Sequence, residues 1–224
     1  MARRIGLVGG LGVGAAIYYY EKLSAAFVDR NVQPGLLISH ADIGRGYTMV
    51  QQGEMDALAA YLNEHLTMLA DAGCEIGAVA AVTPLICWPQ LEPIASLPLV
   101  DVFDTINAEL ARRKAKRVGI LGTQFVMQEN MFGRLDGVEV VPLTAEELNL
   151  VANNYLIIAR TGNAALADIE SIRAIAKRLA NDGADAVILA GTELSLAFDE
   201  SSAGFPALDS GRVHVNAIVE AALG

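Results

Sequence analysis

Sulfur is scarce in this chain, with two cysteines, Cys74 and Cys87, among 224 residues. Two thiols thirteen positions apart build neither a disulfide framework nor a zinc site. Cations are also few: 16 Lys and Arg stand against 26 Asp and Glu, a net charge of −10. Nucleic-acid backbones are neutralised by clustered cations, so no nucleic-acid partner is expected. The densest basic stretch, from Arg112 to Arg117, joins a helix pattern to a strand pattern and reads as a solvated helix end. No apolar run reaches the roughly 18 residues that span a bilayer. The start, Met-Ala-Arg-Arg-Ile-Gly-Leu-Val-Gly-Gly, meets glycine too early for the apolar region of a signal peptide. A cytoplasmic protein without a membrane partner is therefore expected. Aromatic residues make up 6% and form no ladder that would stack bases or sugars. None of these shortages excludes a small anionic substrate, which needs only one or two local cations.

Apolar residues are plentiful, at 53% against 19% charged, so a filled core is expected rather than disorder. Short apolar runs alternate with helix-length amphipathic ones. Strand patterns lie at Ile5–Val8, Gly35–Ser39, Ile76–Ala80, Leu97–Val102, Arg117–Leu121, Val138–Val141, Ala186–Ala190 and Phe205–Asp209. Helix patterns lie at Ala15–Phe27, Glu54–Ala72, Pro89–Ile94, Ile106–Arg113, Thr144–Arg160, Ala165–Asp182 and Gly211–Ala222, with a loop over His40–Thr48. Thr144 with Glu147 three residues on makes a capping box.

The pattern also repeats. Arg4–Gly10 resembles Arg117–Thr123, and setting Gly73 on Gly183 brings Glu75 onto Asp185 and Ala81 onto Gly191. The two offsets, 113 and 110, are close enough to indicate an internal duplication. The expected fold is α/β: two similar doubly wound parallel-sheet lobes, Rossmann- or flavodoxin-like, related by pseudo-twofold symmetry. The first lobe would take residues 1–105 plus 206–224, the second 106–205, with Pro98 and Pro206 marking related strands. Ligands of open parallel sheets sit beyond the strand C-termini. That rule places the candidate residues around a cleft between the lobes.

Each candidate has a plain structural reading beside the functional one. Gly10-Leu-Gly12-Val-Gly14-Ala15 matches G-x-G-x-x-A, but Ser39-His40 stands where a dinucleotide site wants an acidic residue. The glycine loop then suits a small anion at a helix N-terminus, and no cofactor is expected. Arg45 can fork onto a carboxylate or remain a solvated loop arginine. Arg160 closes a helix, where a cation is favourable in any case. Thr83, Thr123 and Thr192 follow strand ends, and their hydroxyls can hold a carboxylate, cap the next helix, or both. Glu193 can act as acid or base, cap a turn, or pair with a cation. His40, His214 and Tyr19 are further candidates for proton transfer. A lone histidine is more often structural, and at least one ring of Tyr18-Tyr19-Tyr20 belongs to the core. Cys87 reads as a small core hydrophobe.

These residues, nearly throughout the chain, resemble the aspartate/glutamate racemase superfamily, the cofactor-independent amino-acid racemases and their relatives. The resemblance rests on Ile5–Leu11, Gly122-Thr123, Ala190-Gly-Thr-Glu-Leu194 and the segment from Asp209 to His214. It implies a cysteine at the strand-to-turn junction of each half, one thiolate removing the α-proton and the other thiol returning one from the opposite face. The family motifs read Cys-Asn-Thr-x-His and Gly-Cys-Thr-Glu. Here they read Ala81-Val82-Thr83-Pro84-Leu85 and Ala190-Gly191-Thr192-Glu193, so both cysteines are absent while Thr83, Thr192 and Glu193 match. Arg45 falls close to the family's carboxylate-binding arginine.

Two readings stay open. One is an isomerase-, racemase-, decarboxylase- or lyase-like enzyme working beside the carboxylate of a small carboxylic or amino acid. Glu193 and Thr83 would be its catalytic candidates, and Gly10, Arg45, Ala81, Val82, Thr83, Thr123, Gly191 and Thr192 its substrate contacts. The other is an inactive relative that binds a small carboxylate or regulates a partner. No metal is expected, and a homodimer is left open.

Overall fold

The computed structural model describes residues 2–33, 35–161 and 165–224, apart from the side chains at 160 and 161, so the Arg160 reading lies outside the described residues. The chain runs β1 (Ile5–Gly9), α1 (Val13–Asp29), β2 (Leu36–His40), α2 (Ile43–Gln52), α3 (Met55–Asp71), β3 (Ile76–Val79) and α4 (Trp88–Leu91). It continues α5 (Val102–Arg113), β4 (Arg117–Gly122), α6 (Gln124–Gln128), β5 (Glu139–Val140), α7 (Ala145–Thr161) and α8 (Leu166–Asn181). It closes with β6 (Ala186–Ala190), α9 (Thr192–Ala197), β7 (Ala207–Asp209) and α10 (Ser210–Leu223). Among the described residues, no helix is long and apolar enough to cross a membrane.

Two compact units result. One holds the chain through Asp101 together with His214–Gly224; the other holds Val102–Val213. Each is built on a parallel sheet, ordered β2-β1-β3 in the first and β5-β4-β6-β7 in the second. The fold is the expected α/β one.

Strand periodicity decides what each face meets. Ile5 and Leu7 point into a core shared with Tyr18, Tyr19, Leu23 and Phe27 of α1 and with Val215, Ile218, Val219 and Ala222 of α10. Gly6, between them, faces α3: a Cβ there would stand 2.9 Å from Leu69 Cβ. The second unit repeats the device, with Gly119 of β4 leaving 2.8 Å to Leu179 Cδ1 of α8.

The opposite strand ends are clamped alike. The Arg4 amide donates to Glu75 Oε2 at 2.9 Å, the Arg117 amide to Asp185 Oδ2 at 2.9 Å. The guanidinium of Arg4 donates to the carbonyl of Ala72, and that of Arg117 to the carbonyl of Asp182. Gly73 and Gly183, at φ of 84° and 95°, turn the chain from helix into strand beside these arginines. Two backbone amides hold Asp185 ionised, drawing its pKa below the ordinary aspartate value.

Three expectations change. The His40–Thr48 loop is largely helix α2, because Asp42 accepts the Arg45 amide at its start and Gly53, in the left-handed region, ends it. Leu97–Val102 forms no strand but a single bridge, Gly77 to Leu99, and α5 begins at Val102. The boundaries also move: residues 206–213, expected with the first lobe, lie in the second unit, as do residues 102–105. The reason is pairing, since the Val187 amide donates to the Pro206 carbonyl just as Gly77 donates to Pro98. The capping box forms as expected, with reciprocal Thr144–Glu147 bonds of 2.8 and 3.2 Å.

A Cβ at position 183 would meet both a left-handed backbone and the Arg117 guanidinium, whereas Gly53, at φ 70°, has open space around it. Gly183→Ala should therefore cost at least the roughly 1–2 kcal/mol of a left-handed non-glycine residue. Urea unfolding should show a larger loss for it than for Gly53→Ala.

Candidate active site

In the first unit the parallel strands bring Gly10, the start of α2 and Ala81–Thr83 to one edge of the sheet. Gly10 is fixed by its neighbours: at φ 83°, a Cβ would lie 2.2 Å from the Ala41 carbonyl oxygen. Its role is to let the β2–α2 connection pass close. Ala41 donates back to the Gly9 carbonyl at 2.9 Å, closing this edge. Arg45 sits in the first turn of α2, its guanidinium 4.2 Å above the Tyr61 ring and 3.7 Å from Glu64 Oε2. That ion pair is largely solvent-exposed and contributes little to stability. Ala81 is half-buried, Val82 is buried, and Thr83 opens a 3-10 turn that ends at Cys87. Helix α2 packs on this turn, so Arg45 and Thr83 come from touching elements.

In the second unit β4 and β6 are neighbours in register, Gly122 opposite Ala190, so Thr123 and Gly191 leave the sheet side by side. Thr123 caps α6, its hydroxyl accepting the Val126 amide at 3.4 Å. Thr192 and Glu193 are buried at the start of α9. The Thr192 hydroxyl lies 3.5 Å from Glu193 Oε2. The same carboxylate oxygen accepts a hydrogen bond from the Tyr155 hydroxyl of α7. Glu193 thus neither caps the turn nor pairs with a cation among the described contacts; a buried phenol holds it. Burial first, and the Glu193 carboxylate second, push the Tyr155 phenol well above the ordinary tyrosine pKa.

Several residues considered for proton transfer are otherwise engaged. His214 has no exposed surface; Nε2 donates to the Val100 carbonyl at 2.8 Å, and Nδ1 accepts from the Tyr19 hydroxyl at 2.7 Å. Burial lowers its pKa to about 4. Tyr19 and His214 are therefore a core hydrogen-bonded pair. His40 is exposed at the end of β2. Cys87 is buried, its thiol donates to the Pro84 carbonyl, and burial pushes its pKa up to about 12. Cys74 is also buried and raised. No group of three or more His, Cys, Asp or Glu is placed to hold a metal ion among the described residues.

The sequence pattern that defines the Asp/Glu/Hydantoin racemases matches residues 8–218. The chain belongs to this family. An aspartate racemase homologue from Pyrococcus horikoshii OT3 shares 26% identity at a TM-score of 0.82, over 99% of this chain and all of its own. A Yersinia pestis protein of the Asp/Glu racemase kind superposes at 0.88 with 22% identity, over 99% of this chain and 100% of its own. Arylmalonate decarboxylase shares the fold at 0.55 and 15% identity, over 99% of this chain and 93% of its own. Ala81 and Gly191, which the resemblance sets at the family's two cysteine positions, carry no sulfur.

Tyr155 was not singled out from sequence, although a signal for it exists. It shares a buried helix face with Val151, Ala152 and Ile158, and a buried tyrosine hydroxyl needs a partner. Ser39 and His65 form another such pair, with Ser39 Oγ 2.7 Å from His65 Nδ1.

The buried His214 makes stability pH-dependent. Its folded pKa is depressed, so its contribution is complete above about pH 6.5 and is lost as pH falls toward 4. The difference between 6.5 and about 4 amounts to roughly 3 kcal/mol. Thermal unfolding followed from pH 7 to 4 should show the wild type losing stability more steeply than His214→Gln. Both cysteines should resist a thiol reagent at mildly alkaline pH in the native protein and react once guanidinium unfolds it.

Proposed function

We propose that this racemase-family chain acts on a small carboxylic acid, at the carbon next to a carboxylate, without a thiol and without a cofactor. The observation that carries this is the composition of the two strand-end turns. Thr83, Thr192 and Glu193 stand at the family's motif positions, yet Ala81 and Gly191 stand where its two sulfurs belong. An amino-acid α-proton is very weakly acidic, and its removal needs a strong, desolvated base. Ala81 and Gly191 carry none, and the buried Glu193 carboxylate is already held by the Tyr155 hydroxyl. A reaction that generates the carbanion without breaking a C–H bond, such as loss of CO₂ from an activated di-acid, asks only for charge stabilisation and a proton. Hydroxyls, backbone N–H groups and a guanidinium supply the first, and such cradles lower barriers by several kcal/mol. One of the fold relatives is named for a decarboxylation. Arg45 is the carboxylate-binding candidate, with Gly10, Val82 and Thr123 near the strand ends.

The stacking of Arg45 on Tyr61 and its proximity to Glu64 favour one alternative, a relative that binds a carboxylate and does no chemistry.

A thermal-shift panel of malonate, phenylmalonate, succinate, aspartate and glutamate tests the binding. At least one di-acid should stabilise the wild type, and Arg45→Ala should abolish the shift. No shift from any carboxylate overturns the proposal. Incubation with aspartate or glutamate in D₂O should leave the α-position protonated by NMR; deuterium there would show that thiol-free proton abstraction does occur. A di-acid that binds but is never converted would establish the non-catalytic alternative.

A further inference from the structure

Position 191 has no side chain, but the space beside it is filled. A Cβ on Gly191 would lie 2.3 Å from the Tyr155 hydroxyl oxygen, 2.7 Å from Cε2 and 2.9 Å from Cζ. These are ring atoms anchored in α7, not the loose end of a flexible chain. The phenol therefore stands in the volume that any side chain at 191 would enter. It is oriented there: its hydroxyl donates to Glu193, two residues further along the same turn, while Thr192 lies 3.5 Å from the same oxygen. All three side chains are buried. An O–H group thus occupies the place where the family motif puts an S–H group.

We propose that Tyr155 is the proton donor of the second unit's turn, its phenol standing in for the absent thiol and Glu193 orienting it. This rests on the proton chemistry proposed above and adds the group and the direction of transfer. In the step itself the Tyr155 O–H bond breaks. The electron pair of the carbanion next to the carboxylate forms a C–H bond with that proton. The carbanion's electron pair comes from the C–C bond broken as CO₂ leaves. The phenolate left behind takes a proton from water, and the hydroxide combines with the released CO₂ as bicarbonate, so the cycle balances without any other reactant.

The geometry also sets the direction. A phenolate beside the Glu193 carboxylate, in a buried setting, is disfavoured, which agrees with the raised pKa of this phenol. Tyr155 therefore rests protonated and is no resting base. A carbanion alpha to a carboxylate is far more basic than a phenolate, so delivery still runs downhill. The turn donates protons and does not collect them. That suits quenching after decarboxylation and does not suit racemisation, which needs abstraction and return.

Two measurements test the proposal, and the first needs no substrate. Gly191→Cys in the wild-type background should lower Tm by several degrees, and the same change should cost little in a Tyr155→Ala background. Additive effects of the two substitutions would overturn the claim that the phenol fills the thiol's place. The second uses phenylmalonate in D₂O, following CO₂ release and deuterium in the phenylacetate. Tyr155→Phe keeps the ring and removes the proton, and kcat should fall roughly a hundredfold, the scale of a lost general acid. Tm should fall whatever the role of Tyr155, because the buried Glu193 carboxylate loses its donor. The decisive readout is a fall in kcat at little-changed KM, since a merely structural tyrosine would lower Tm and spare kcat. Unchanged kcat in Tyr155→Phe overturns the donor role. Phenylmalonate that stabilises the wild type but releases no CO₂ also overturns it, and leaves carboxylate binding standing. Absence of both a thermal shift and turnover, across the whole carboxylate panel, overturns the broader reading and the donor with it.

Discussion

A helix leucine resting directly on a strand glycine is the contact on which each unit is built. Leu69 against Gly6 and Leu179 against Gly119 bring α3 and α8 closer to their sheets than any strand side chain would allow. Close seating fixes the helix ends, and from them the left-handed turns at Gly73 and Gly183 feed β3 and β6 into register. The arginine and carboxylate clamps then tie down that edge of each sheet. With the strand N-termini anchored twice over, variation is left to the other edge, where parallel sheets place their ligands.

At that other edge the two units have diverged. In the first, Ala81 and Val82 lead into a 3-10 turn that packs on α2, the helix whose Arg45 guanidinium stacks on Tyr61. In the second, the turn around Gly191 is closed over by a phenol and a carboxylate that satisfy one another. The chain belongs to the family and shares its fold, and neither turn holds a cysteine: Ala81, Val82 and Thr83 stand in one and Gly191, Thr192 and Glu193 in the other. The glycine at 191 leaves no void, because Tyr155 of a different helix fills the volume beside it.

What could be read from the sequence was what short-range periodicity encodes. The strands Ile5–Gly9, Arg117–Gly122 and Ala186–Ala190, the long helices and the Thr144 capping box all follow from local pattern, and the duplication from matching offsets. Helix α2 escaped although Ile43, Tyr47 and Val50 stand at helical spacing, because Gly44 and Gly46 interrupt that pattern; its ends are set by the Asp42 cap and by Gly53. The run at 97–102 looks like a strand by composition, yet only Leu99 pairs, and α5 begins three residues later. The resemblance pointed to Ala81 and Gly191 without indicating what stands beside them. Tyr155 meets Glu193 across 38 residues and His214 meets Tyr19 across 195, and no local pattern carries such pairings.

Helix α10 has a consequence for how the protein comes into being. The first unit opens the chain, yet Val215, Ile218, Val219 and Ala222 complete the core around Ile5 and Leu7. Domains generally assemble in the order they leave the ribosome. Here the N-terminal sheet must wait, with one flank uncovered, while the whole second unit is made. The half that is translated first is the half that finishes last, and its exposed strands in the interval are the part of the molecule most in need of protection from other chains.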